Sequence, residues 1–112
     1  MAFGFLHPRY VESRAFHLAQ DQLPAAVRAA IESLHWTDKG STENEFQARV
    51  PWSAFVWAHD VRINILPNSV LQVESKSTAR ENFYDFGRNR RNVEAFFARI
   101  EQMTGTESRK VL

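Results

Sequence analysis

Two stretches decide how this chain folds: Val70-Leu71-Gln72-Val73-Glu74-Ser75-Lys76-Ser77, and, nine residues later, the run Gly87-Arg88-Asn89-Arg90-Arg91-Asn92-Val93-Glu94-Ala95-Phe96-Phe97-Ala98-Arg99-Ile100-Glu101-Gln102-Met103. In the first, Leu71 and Val73 fall on one side while Gln72, Glu74 and Lys76 fall on the other. A period of two belongs to a strand with one face covered and one face wet. In the second, Val93, Phe96, Phe97, Ile100 and Met103, with Phe86 just ahead of them, recur at helical spacing along one stripe. A half-wet strand followed by a helix with one apolar stripe predicts an antiparallel sheet whose apolar face is covered by that helix.

Upstream the same pattern repeats. Val61, Ile63 and Ile65 alternate with Arg62 and Asn64, and Pro67-Asn68-Ser69 supplies turn chemistry between this strand and the next. Glu43 to Val50 alternates with Phe46, Ala48 and Val50 inward and Glu45, Gln47 and Arg49 outward, until Pro51 stops it. A short strand is expected at His35-Trp36-Thr37, broken by a turn at Lys39-Gly40-Ser41. Trp52 to Trp57 reads either as a connection or as the start of the following strand. Leu23, Val27, Ala30, Ile31 and Leu34 make an amphipathic helix, with Asp21 as its expected N-cap and Pro24 in its tolerant first turn. Glu12 to Ala19 alternates as a strand, Phe16 and Leu18 against Ala15 and His17. Residues 1–11 read as an irregular start and residues 104–112 as a frayed polar tail.

The expected order is β-α-β-β-β-β-α. It describes a two-layer α+β domain over residues 1–112, an antiparallel sheet of four to five strands with two helices packed on one face. Both helices must share that face, because the polar side of the strands offers nothing for an apolar stripe to bury against.

Composition narrows the function classes. At 112 residues, 44% hydrophobic and 24% charged, the chain suits one core. A net charge of +1 gives no overall field to gather nucleic acid or an anionic membrane. Arginine far outnumbers lysine, which suits bidentate carboxylate or phosphate contacts. The absence of cysteine removes disulfides, thiolate metal sites and a cysteine nucleophile together, and fits a reducing compartment. The first residues do not read as a signal peptide, and no apolar run reaches membrane-spanning length. The expectation is a soluble cytoplasmic protein.

Chemistry-bearing motifs are sparse. His7, His17, His35 and His59 form no pair at metal-ligand spacing, and no Gly-rich phosphate loop can be written from four glycines. His59 and Asp60 are strand neighbours and therefore point to opposite faces. Glu43 and Glu45 lie on a polar strand side beside a turn, as a solvated pair would. No catalytic set, metal or cofactor is expected.

Two surfaces stand out as candidate contacts. Arg80, Arg88, Arg90 and Arg91 lie in the segment joining the last strand to the last helix. They read either as a solvated helix face, partly paired with Glu94, or as a contact for phosphate or an acidic partner at a helix start, with Asp85 able to cap that start. On a helical projection Arg88, Arg91 and Arg99 oppose the apolar stripe, whereas Asn89 falls under the helix start as a buried anchor. Trp52, Phe55 and Trp57 form an aromatic run that is equally a partner patch or a roof over the end of the core.

The Ser75-Lys76-Ser77 strand end and the Asp85-Phe86-Gly87-Arg88-Asn89-Arg90-Arg91-Asn92 run resemble a group of small bacterial domains of unknown function, the DUF 1499-like group, in which a D-x-G-x-N-x-x-N helix start follows a polar strand. The resemblance is close from Val70 to Ile100 and loose elsewhere. It implies a bacterial, stand-alone domain and carries over no catalytic or binding residue. Relatives in the group are associated with an Arg at the strand end, where this chain has Glu74 and Lys76.

The expected function is a non-enzymatic binding or structural module of the bacterial cytoplasm, with a protein partner or self-association. One alternative is a small-ligand carrier with a pocket between the sheet and the C-terminal helix. Another is a polyanion binder acting through the Arg80–Arg91 cluster, which the near-neutral charge disfavours for nucleic acid.

Overall fold

Alternation places Phe46 and Ala48 of one strand, Val61, Ile63 and Ile65 of the next, and Leu71 and Val73 of a third on a single face. In the computed structural model all seven are buried in one cluster. The structure describes residues 9–51, 58–77 and 87–111. In chain order the elements are β1 (Arg9–Phe16), α1 (Leu23–Ser33), β2 (Thr37–Ser41), β3 (Glu45–Val50), β4 (His59–Leu66), β5 (Val70–Ser77), α2 (Arg88–Thr104) and β6 (Ser108–Val111), with one 3-10 turn at Gln20–Gln22 ahead of α1. The strands form one antiparallel sheet in the order β2-β3-β4-β5-β1-β6. The α+β class holds, with six strands among the described residues rather than four or five.

Both helices lie on the same face. Leu23, Val27, Ala30 and Ile31 of α1 and Val93, Phe96, Phe97 and Ile100 of α2 enter the one core cluster. Phe97 stacks on Phe16 of β1 and Phe96 on Trp36, with ring centroids 6.1 and 6.0 Å apart, and Phe96 meets Phe97 edge to face. Arg99 donates to Ser33 Oγ at 3.0 Å and so ties α2 to α1. It is half-buried there rather than turned fully to solvent.

β1 begins at Arg9, so the expected irregular start at residues 9–11 is strand, and the strand ends at Phe16 instead of Ala19. The partner decides this: Arg9 to Ala15 pairs with Lys76 to Val70. The alternation was hard to see because the covered face of β1 carries Tyr10, Glu12 and Arg14 before it reaches Phe16. The expected strand at His35 starts two residues later. His35 takes φ 60°, its N–H donating to Glu32 O and the Trp36 N–H to Ile31 O. Those two bonds close α1 in a Schellman motif, which holds 35–36 out of the sheet. Lys39-Gly40-Ser41, expected as a turn, belongs to β2, which absorbs the glycine as an irregularity between Asp38 and Gly40.

Asp21 does not cap α1. Gln22 holds the N-cap position, and its side chain accepts the Ala19 N–H at 2.9 Å. Nor is residue range 104–112 frayed throughout: Ser108–Val111 pairs with β1. α2 stops because Gly105 adopts φ 68° and donates its N–H to Glu101 O, a left-handed stop that glycine takes without steric cost. Met103, expected on the inner stripe, is 46% exposed, and the buried stripe of α2 ends at Ile100. No helix among the described residues is long and apolar enough to cross a membrane.

Phe96 has no exposed surface, stacks on Trp36 just beyond α1 and meets Phe97 edge to face. Phe96→Ala removes a fully buried ring, which costs about 3–5 kcal/mol, a large share of the roughly 5–15 kcal/mol available. The expected outcome is a collapsed melting temperature or a largely unfolded population. A melt within a degree or two of wild type would overturn the placement of α2.

Candidate functional site

The sheet places polar residues in three groups. The first lies on the covered face, where β4 and β5 meet the start of α2. Alternation sends Ser75 and Ser77 of the Ser-Lys-Ser strand end inward and Lys76 outward, and His59 is paired across from Ser77. His59, Ser75, Ser77 and Asn89 are each no more than 3% exposed. Ser75 Oγ donates to Asn89 Oδ1 at 2.8 Å and accepts from Asn92 Nδ2 at 3.2 Å. The two asparagines of the D-x-G-x-N-x-x-N run therefore straddle one serine hydroxyl. Asn89 is the buried anchor that its helical phase predicts. Gly87 opens α2 at φ 76°, in the left-handed region that glycine favours, which lets Asn89 turn down onto the sheet.

The candidate arginines that the structure describes, Arg88, Arg90 and Arg91, lie on the first turn of α2. Arg90 pairs with Glu94 at 3.2 Å and lies over the Tyr10 ring, 5.9 Å from its centroid. Arg88 and Arg91 are exposed at the first turn, which carries no carboxylate. Arg80, Asp85 and the aromatic run Trp52, Phe55 and Trp57 lie outside the described residues. His17 and His35 are exposed and far apart along the chain from buried His59, and Asp60 faces away from His59, as strand geometry requires.

The second group is buried at the β1 edge of the covered face. The Glu12 carboxylate accepts from Tyr10 Oη at 2.7 Å and from Arg14 Nε at 2.5 Å, with Lys110 Nζ 4.0 Å away. Burial pushes its carboxyl up, but the two hydrogen bonds and the charges of Arg14 and Lys110 outweigh burial and leave it below its ordinary value. The Arg14 guanidinium also lies over the Phe97 ring, 5.3 Å from its centroid. No sequence pattern announces this group, because a Glu on the covered face reads as a break in the alternation. Only the pairing partners of β1 reveal it.

The third group is the outer face of the sheet, which the described helices leave uncovered. Its cross-strand rows bring Arg49, Asp60, Lys76 and Arg9 side by side, and next to them Gln47, Arg62, Glu74 and Val11. Asp60 is held by Arg49 at 2.9 Å and Lys39 at 3.5 Å, Glu45 by Arg62 at 3.3 Å, and Glu74 by Arg9 at 3.1 Å. Partial burial pushes the Asp60 carboxyl up, and Arg49 and Lys39 bring it down below its usual range. Arg109 joins this face across from Ala15. A shallow depression of about 140 Å³ opens in it among Lys39, Asp60, Arg62, Glu74 and Lys76.

Six cations thus share the outer face with three carboxylates: Arg9, Lys39, Arg49, Arg62, Lys76 and Arg109 against Glu45, Asp60 and Glu74. Of the thirteen basic and eleven acidic side chains among the described residues, seven and eight lie elsewhere. The described residues are therefore polarised into a basic sheet face and a slightly acidic remainder.

A family model described as a protein of unknown function (DUF1499) matches residues 6–100, a span that takes in β1 to β5 and most of α2 but not β6. No curated protein matches the chain.

The joint at Ser75 generates a comparison of two neighbouring residues. Asn89→Ala leaves a buried hydroxyl with a lost partner and is expected to cost about 1–3 kcal/mol. Arg88→Ala, on the exposed side, is expected to cost less than about 0.5 kcal/mol. Denaturant melts that reverse this order would contradict the phase of α2.

Proposed function

The chain belongs to the DUF1499 family of proteins of unknown function, and we propose that it is a non-enzymatic binding module of the bacterial cytoplasm whose open sheet face docks an acidic protein surface. The observation that carries this reading is the charge asymmetry of that face, with twice as many cations as carboxylates in a chain that is nearly neutral overall. Complementary potential steers such encounters and selects among partners.

A protein partner fits better than nucleic acid. Sheet faces that take single strands stack bases on aromatic rings, and among the described residues of the outer face none is aromatic. A non-enzymatic role is supported by the titrating groups. Against the upward push of burial, Glu12, by Tyr10 and Arg14, and Asp60, by Arg49, are both pulled below their ordinary values, whereas a carboxylate serving as general acid or base near neutrality is pushed up. The carrier alternative finds less support, because Val93, Phe96, Phe97 and Ile100 fill the space between the sheet and α2 with at most 2% exposure each.

Poly-L-glutamate serves as the probe, titrated into isotope-labelled protein and followed by amide chemical shifts. Saturable shifts at Gln47, Arg62 and Lys76 are expected, disappearing at about 1 M salt, where the screening length is about 3 Å. Arg62→Gln with Lys76→Gln is expected to weaken the complex by roughly two- to thirtyfold, since each exposed pair contributes about 0.2–1 kcal/mol. Shifts confined to Arg88–Asn92 would move the function to the arginines of the helix start. An unmoved spectrum would remove the outer-face reading altogether.

A further inference from the structure

β6 is four residues long, three of them exposed, and it reaches β1 from the end of α2 through only Gly105, Thr106 and Glu107. It lies beyond the residues that the family model matches, so among the described residues of the matched span β1 is the edge of the sheet. That edge does more than offer backbone groups. Glu101 Oε2, from α2, accepts both the main-chain N–H of Ser108 at 2.8 Å and its hydroxyl at 2.6 Å. Arg14 Nη1 donates to the same hydroxyl at 3.3 Å. Two residues on, Lys110 points to the same side, 4.0 Å from Glu12 Oε1. Glu12 is 3% exposed on its side chain while Lys110 is 63% exposed, so the buried half of this ion pair belongs to the β1 edge and the exposed half to the incoming strand.

The geometry points to a strand-docking site: the β1 edge, with Glu101, Arg14 and Glu12, takes an extended protein segment that carries a hydroxyl residue followed two positions later by a lysine. In this chain Ser108–Val111 occupies that site in cis. The division of labour is that of strand addition, in which the ladder supplies affinity and alternate side chains supply specificity. Ser108 and Lys110 are the alternate side chains, since a strand presents i and i+2 to one face. A four-residue edge strand with three residues exposed opens at lower free energy than the central strands, so a partner segment with the same pattern can displace it. This surface is separate from the basic outer face and stands without it. A partner could engage both, because Arg109 of β6 lies on the outer side.

The structural alternative is that β6 only shields an edge against aggregation, as short charged edge strands do. A labelled peptide with the sequence of residues 106–112 separates the two, measured by fluorescence anisotropy against the full chain and against full-length Ser108→Pro, which lacks the N–H that Glu101 accepts. Docking predicts that the peptide binds Ser108→Pro and binds wild type at least about tenfold more weakly, because the tethered tail competes at high effective concentration. It also predicts at least a tenfold loss when the peptide's lysine is replaced by glutamate. Absence of binding to a folded Ser108→Pro, or binding indifferent to that lysine, would overturn the proposal. Should Ser108→Pro fail to fold, hydrogen exchange on the wild type decides. Amides of Arg109 and Val111 are expected to exchange at least about a hundredfold faster than those of β5, and equal protection would contradict a displaceable strand. A concentration-dependent dimer that the peptide does not dissociate would also overturn it, in favour of strand exchange between copies.

Discussion

Everything in this molecule depends on one sheet face having to cover two apolar helix stripes. Val93, Phe96, Phe97 and Ile100 of α2 and Leu23, Val27, Ala30 and Ile31 of α1 have no other surface on which to leave water. Burying side chains of this size is worth roughly 1.5–3 kcal/mol each before entropy is subtracted, so the helices cannot be shared between the two faces without losing much of the stability. Once both sit on one side, the strands need inward apolar residues there, and the opposite face is left to water. The outer face carries charge because neither described helix packs on it. Its ion pairs, all partly exposed, contribute little to stability, and that leaves it free to be selected for contact with something else.

The covered face is not wholly apolar, and its two polar departures have different consequences. At the start of α2, the Ser75 hydroxyl is satisfied by Asn89 and Asn92 together, so the helix can enter in only one phase without leaving a buried polar group unpaired. The most distinctive motif in the sequence is on this account a joint, and the arginines between its asparagines are turned outward as a result. At the β1 edge, Glu12 is stabilised by Tyr10 and Arg14 and stands within reach of Lys110. It draws the last strand onto the sheet. One departure therefore orients an element, while the other recruits one.

How much of this could be read from the chain varies with how purely each element obeys its period. β4, β5, α1 and α2 were legible because apolar residues alone mark their covered sides, and Asn89 was legible because its phase put it on the α2 stripe. β1 was misplaced by three residues because Glu12 and Arg14 stand where the pattern calls for apolar residues, and charged residues pass as inward only when their partners are known. β2 was missed in its detail because all five of its residues are exposed, which leaves no alternation to detect. β6 was taken for a tail since its hold on the sheet comes from Glu101 and Glu12, distant in sequence. The basic outer face was equally hidden. Its residues come from all six described strands, and only the register brings Arg49, Asp60, Lys76 and Arg9 into one row.

The central claim is that the two faces of the sheet have separate duties, the inner one holding the fold and the outer one free for recognition. Thermal unfolding of the Arg62→Gln, Lys76→Gln double variant tests it most directly, because both side chains are exposed on the outer face and neither touches the core. The account predicts a melting temperature within about 2 °C of wild type, as expected for surface changes that remove no buried contact. A fall of roughly 10 °C or more would mean that the outer ion-pair lattice holds the sheet together, and would contradict the division of the molecule into a structural face and a recognition face.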